Sequence, residues 1–79
     1  MKVQVRYFAM LRERLAKTHE VVDVPEGTTA GELLCQVAVG PAAGLAGSTA
    51  VAVNLEYARP DQVLSEGDEV AFLPPVSGG

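Results

Sequence analysis

Thr29, followed three residues later by Glu32 and preceded by the turn sequence Pro25-Glu26-Gly27, is the most sharply marked boundary in the chain. A threonine here can take the amide of the third helical residue while the glutamate reaches back to the threonine amide, which satisfies two otherwise orphaned donors. A helix must therefore open at this point. Ala30, Leu33, Leu34 and Val37 come next at helical spacing and give one apolar stripe. Gly40 ends the helix, and Gly40 to Ser48, built from Gly, Pro, Ala, Leu and Ser, reads as a loop. A helix with a single apolar stripe needs a flat apolar surface to lie on, and the flanking sequence supplies strands.

Val3, Val5 and Tyr7 fall on one face of a first strand, with Lys2, Gln4 and Arg6 on the other. Phe8 lands on the polar face, where an aromatic is either covered by a neighbouring element or held ready for a partner. Met10 to Lys17 reads as a short helix with Leu11 and Leu15 inward and Arg12, Glu13 and Arg14 in water. His19 to Val24 is a second strand. Ala50 to Asn54 is short, apolar and β-branched at alternate places, as expected of a central strand buried on both faces. Arg59-Pro60-Asp61 interrupts, Val63-Leu64 returns to the core, and Ser65-Glu66-Gly67-Asp68 turns into a last strand, Glu69 to Leu73. Pro74 and Pro75 stop that strand, because neither can donate a ladder hydrogen bond. The expected organisation is a folded domain over residues 1–73 and an extended arm over 74–79. The fold class is α+β, a small mixed sheet with one principal helix across it.

With 79 residues there is one core and no room for a large internal cleft. Chains of this size bury only roughly 60% of their unfolded surface. A single cysteine, Cys35, excludes an intrachain disulfide, and with one histidine there is no zinc-ligand set, so a reducing cytosol is expected. The alternating N-terminus lacks the continuous apolar run of a signal peptide or membrane span. A formal charge of −4, with Glu56, Asp61, Glu66, Asp68 and Glu69 gathered in the second half, argues against nucleic acid. It suits a basic protein surface, or solubility alone. The Gly40–Ser48 loop is followed by no Gly-Lys-Ser/Thr, so it cannot cradle ATP. Cys35 sits off the apolar stripe with no local motif suggesting an activating base, and His19 reads as a surface residue. The Glu66, Asp68 and Glu69 cluster lacks the spaced oxygen ligands of a calcium loop and reads as a solvated turn.

The sequence closes on Pro74-Pro75-Val76-Ser77-Gly78-Gly79. Neither glycine has a Cβ, so the pair can pass through a narrow channel and leave a carboxylate open to attack from either side. A frayed end is the bland reading of such a pair. The element order suggests the ubiquitin-like β-grasp. Together with Arg12-Glu13, Pro25-Glu26-Gly27-Thr28-Thr29, Val51-Ala52-Val53-Asn54, Gly67-Asp68-Glu69-Val70 and the terminal hexapeptide, the whole chain resembles the small, sulfur-carrying subunits of molybdopterin synthase, the MoaD family. That resemblance implies a co-substrate rather than a catalyst. An adenylating partner (MoeB-like) would activate the Gly79 carboxylate with ATP, and a sulfur donor would convert it to a thiocarboxylate. The tail would enter a large subunit (MoaE-like), where two such sulfurs reach cyclic pyranopterin monophosphate. Two small and two large subunits are implied, and no cofactor or metal is implied on this chain itself. Gly78 would let the tail thread, and Val76 and Ser77 would line the entrance, after Pro74 and Pro75. Phe8, Phe72 or Leu73, and Arg12 are the candidate partner contacts. A sulfur carrier for thiamin thiazole synthesis shares the fold and the ending, and a ubiquitin-like modifier shares the activation; Pro74-Pro75-Val76-Ser77 argues against the thiazole pathway.

Overall fold

A computed structural model of the chain describes residues 1–75. The elements run β1 (Lys2–Tyr7), α1 (Ala9–Leu15), β2 (His19–Asp23), α2 (Ala30–Val37), two 3-10 turns (Gly40–Ala42 and Ala46–Ser48), β3 (Ala50–Val53), β4 (Glu56–Tyr57) and β5 (Glu69–Leu73). The strands form one mixed sheet in the order β2-β1-β5-β3-β4. Only β1 and β5 run parallel, and they lie side by side although they open and close the described chain. Their C-terminal ends therefore meet, Tyr7 facing Phe72, and this places the exit of the last strand beside Phe8 and the start of α1. The arrangement is the β-grasp.

The capping box at α2 forms as the residues require. Thr29 Oγ1 accepts the Glu32 amide at 3.2 Å, and Glu32 Oε1 accepts the Thr29 amide at 2.9 Å. The stripe buries Ala30, Leu33 and Leu34, with Val37 packed at its margin and Cys35 exposed. The segment after β4 wraps the start of this helix. Ala30 donates its amide to the Gln62 carbonyl at 2.9 Å and Gly31 donates to that of Pro60 at 2.8 Å. Thr29→Ala should remove the cap and lower unfolding stability by about 1 kcal/mol, read as a shift in the urea midpoint with unchanged slope.

The core is the inner face of the sheet under α2, with Val3, Val5, Tyr7, Leu33, Val70 and Phe72 its largest fully buried side chains. The Tyr7 and Phe72 rings stand 6.2 Å apart at a 38° tilt. The Tyr7 hydroxyl donates to Glu20, whose other oxygen accepts from Lys17 at 3.1 Å. Burial, and then the carboxylate beside it, push the Tyr7 phenol well above its ordinary value; the same hydrogen bond, helped by Lys17, lowers Glu20.

The structure corrects several expectations. The first helix is displaced and shorter than Met10 to Lys17: it spans Ala9–Leu15 and stops where Ala16 turns left-handed at φ 56°. The Gly40–Ser48 loop is not shapeless, since both its ends coil into 3-10 turns and Ala42 is completely buried. Strand β3 is not central. It is fourth in the order, and β5 occupies the middle, because an apolar run of this length states burial but not rank in the sheet. Val63 and Leu64 diverge: Leu64 joins the core, while Val63 stays 58% exposed at an isolated bridge to Thr29. The carboxylates after it hold the turn together. Asp68 accepts the Ser65 amide at 2.7 Å and the Asn54 side chain at 2.9 Å, and Glu66 accepts the Lys2 amide at 2.9 Å.

Candidate partner-binding face and the root of the C-terminal arm

Strand register defines a second, open face. Residues paired across strands point to the same side, so Arg6, Ala71, Ala52 and Tyr57 form one row from β1 to β4, and Ala50 and Leu73 form the next. Among the described residues no helix covers this side as α2 covers the other. Ala52 and Ala71 are small and make a low floor, and Phe8, Leu55, Tyr57 and Leu73 stand around it. The result is a groove of about 310 Å³ with an Arg6–Glu69 ion pair, 3.4 Å, on its rim. Tyr57 is 69% exposed and Leu55 88%.

A smaller notch of about 100 Å³ adjoins this groove at the end of β5, lined by Met10, Leu11, Leu45, Pro74 and Pro75 among others. Phe8 and Leu73 border both depressions. One apolar track therefore leads from the sheet face to the point where the chain leaves β5. Its geometry can seat an apolar protein surface beside Pro74 and Pro75. Neither a cysteine nor a histidine lies among the described residues that line it.

Of the sequence-derived candidates, Phe8 lies just past β1 as the residue before α1, 36% exposed and beside the groove. Leu73 is on the open face, Pro74 and Pro75 are exposed at its end, and β5 stops at Leu73. Phe72 is corrected: it is fully buried, because alternation along β5 turns it inward between Val70 and the Tyr7 ring. It supports the face from beneath and forms part of the wall of the notch beside Pro74. Arg12 is exposed and lines a polar depression with His19 and Glu20 that meets the groove at Arg6 and Phe8. Val76, Ser77, Gly78 and Gly79 lie outside the described residues.

The sequence pattern of the ThiS family matches residues 5–79. The chain belongs to the ThiS family. Among curated relatives, this ThiS-family chain is 40% identical over 83 residues, and over the full length of both proteins, to a molybdopterin synthase sulfur carrier subunit of Chlamydomonas reinhardtii. Among solved structures, SAMP1 of Haloferax volcanii, a small archaeal modifier protein, superimposes with a TM-score of 0.77 at 29% identity, covering 100% of both chains. A complex of subunits 1 and 2 of the molybdopterin-converting factor from Helicobacter pylori gives a TM-score of 0.69 at 25% identity, again over 100% of both chains.

Sequence reasoning missed Ala52, Leu55, Tyr57 and Ala71 as parts of the family member's open face. The alanines carry no signal of their own, since a small residue on an outward position marks a groove only once its neighbours are known. Tyr57 was legible in principle. It alternates with Leu55 after Asn54, a residue that favours tight hairpin turns, but the absence of glycine at the next position hid the turn. Among the described residues no helix is long and apolar enough to cross a membrane.

Proposed function

We propose that this chain is the sulfur carrier subunit of a molybdopterin synthase. The observation that carries the reading is the 40% identity to a protein of that name over the whole of both chains. Residues 1–73 act as the folded handle and 74–79 as the arm. A carboxylate is a poor electrophile until one oxygen becomes a good leaving group, so an ATP-using, MoeB-like partner converts the Gly79 carboxylate to an acyl-adenylate. A sulfur donor displaces AMP and leaves a thiocarboxylate, whose sulfur is nucleophilic and attacks the pterin precursor, cyclic pyranopterin monophosphate, in the large subunit. Gly78 keeps the tail thin, and Val76 and Ser77 line its entry.

The complex of subunits 1 and 2 from Helicobacter pylori supports a MoaE-like large subunit as the partner; in this reading that subunit receives the arm, in an assembly of two small and two large subunits. The open face with Phe8, Tyr57 and Leu73 is the surface offered to it, because that face ends where the arm begins. Aromatic and leucine side chains in such a patch supply the anchor energy of a docked complex. The need for ATP and reduced sulfur supports a cytoplasmic location.

A second reading, a ubiquitin-like modifier joined to lysine through Gly79, is favoured by the likeness to the archaeal modifier protein. Intact mass spectrometry separates the two. Incubated with the adenylating enzyme, ATP and a sulfur source, the chain should gain about 16 Da as oxygen is exchanged for sulfur. Conjugates of much larger mass would establish the modifier instead, and an unchanged mass would remove both.

A further inference from the structure

Leu55 breaks a local rule and gains nothing for it within the described chain. The two residues linking β3 to β4 are Asn54 and Leu55, and both have positive φ, 51° and 72°. Asparagine tolerates the first place of such a turn, whereas the second favours glycine, because a Cβ there crowds the following carbonyl oxygen. The leucine body is 88% exposed, the most exposed large apolar side chain among the described residues. Neither its strained backbone nor its exposure is offset by internal packing, a combination that belongs to sites where another molecule supplies the missing contact.

Its position says what that molecule presents. Leu55 stands on the rim of the groove that Phe8, Tyr57 and Leu73 share, at the end farther along the sheet from the arm. Acidic side chains border it: Glu56 is next in sequence and Asp68 holds Asn54 at 2.9 Å, while Glu69 farther along the rim is already paired with Arg6. We propose that Leu55 is a fixed knob that enters an apolar pocket edged by cationic side chains on the large synthase subunit, extending the interface from the root of the arm to the β3–β4 turn. The proposal rests on the sulfur-carrier reading above. The tight turn holds the knob in one place before contact, so little freedom is lost when it docks.

The test uses the full-length chain titrated into the purified cognate large subunit by calorimetry, alongside thermal unfolding of each variant. Leu55→Asn keeps a residue that tolerates the left-handed backbone but deletes the apolar body. It should weaken binding about tenfold to a hundredfold, with an unfolding midpoint no lower than that of the wild type. Leu55→Met, equally strained but apolar, should bind within a few-fold of the wild type. Unweakened binding by Leu55→Asn overturns the proposal, and so does equal weakening by Asn and Met, which would assign the effect to turn geometry. Phe8→Ala tells the knob apart from the sulfur-carrier reading beneath it: weakening there with none at Leu55→Asn leaves the sulfur-carrier reading standing without the knob. A wild-type chain that does not bind the large subunit removes both.

Discussion

A chain extended by one residue beyond Gly79, or carrying a bulky side chain in place of Gly79, should show no sulfur-dependent gain in mass, while its unfolding midpoint stays at the wild-type value. The two halves of this expectation come from different physics. In the proposed chemistry the terminal carboxylate must reach the α-phosphorus of ATP held by the activating partner, and one added residue displaces it by up to about 3.5 Å. In-line attack tolerates far less than that. A side chain at the last position adds a Cβ that the narrow channel of the proposed partner would not admit. Stability should be unaffected because β5 ends at Leu73 and, among the described residues, the core cluster reaches no further than Phe72. Intact mass after incubation with the adenylating enzyme, ATP and a sulfur source reads the first half, and urea denaturation the second. Sulfur uptake by the extended chain would show that the terminal carboxylate is not the acceptor.

Phe72→Ala should have the largest effect on the fold itself. The ring is fully buried on the inner side of the sheet and packs against Tyr7, the other large aromatic of the core. Truncating such a side chain removes its transfer free energy and leaves a cavity, together about 3–5 kcal/mol. Domains have a total stability of about 5–15 kcal/mol, and one this small has little reserve, so the variant should lose most of its folded population at moderate urea or on gentle heating. Leu73→Ala, one residue on, is the matched control. Its side chain lies on the open face and is only half-buried, so its loss should leave the midpoint nearly unchanged. Equal unfolding of the two variants, monitored by circular dichroism, would mean that the faces of β5 are assigned the wrong way round.

The difference between these neighbours shows how far the residues speak for themselves. Alternation made the inward set of β1 legible, Val3, Val5 and Tyr7, and the same rule applied to β5 puts Val70 and Phe72 inside and Leu73 outside. Phe72 as a surface anchor runs against that parity. An aromatic near the end of the last strand invites a binding role, but a small domain with four aromatic residues in all uses two of them for its core. The α2 helix was readable to the residue at its start, because a capping box is a local hydrogen-bonded device that needs nothing distant. The α1 helix was less so. It is a short connection whose end is set by Ala16 in a left-handed conformation, a position where glycine would have signalled the stop.

Near-neighbour patterns in the residues carried the order of every element except β4, the inner faces of β1 and β5, and the end of β5 before Pro74. These are legible because periodicity, capping and proline act within a few residues. Which strand is central, and what the open face contains, emerged from long-range pairing. Placing β5 beside β1, in parallel, is a contact between residues far apart in the chain, and it brings Phe8 to Leu73 and both to the root of the arm. The groove arises from the same pairing, since Ala52 and Ala71 become a floor only when β3 and β5 lie side by side with Tyr57 at the edge. No local pattern encodes that meeting; it is the burial of one shared core that selects it.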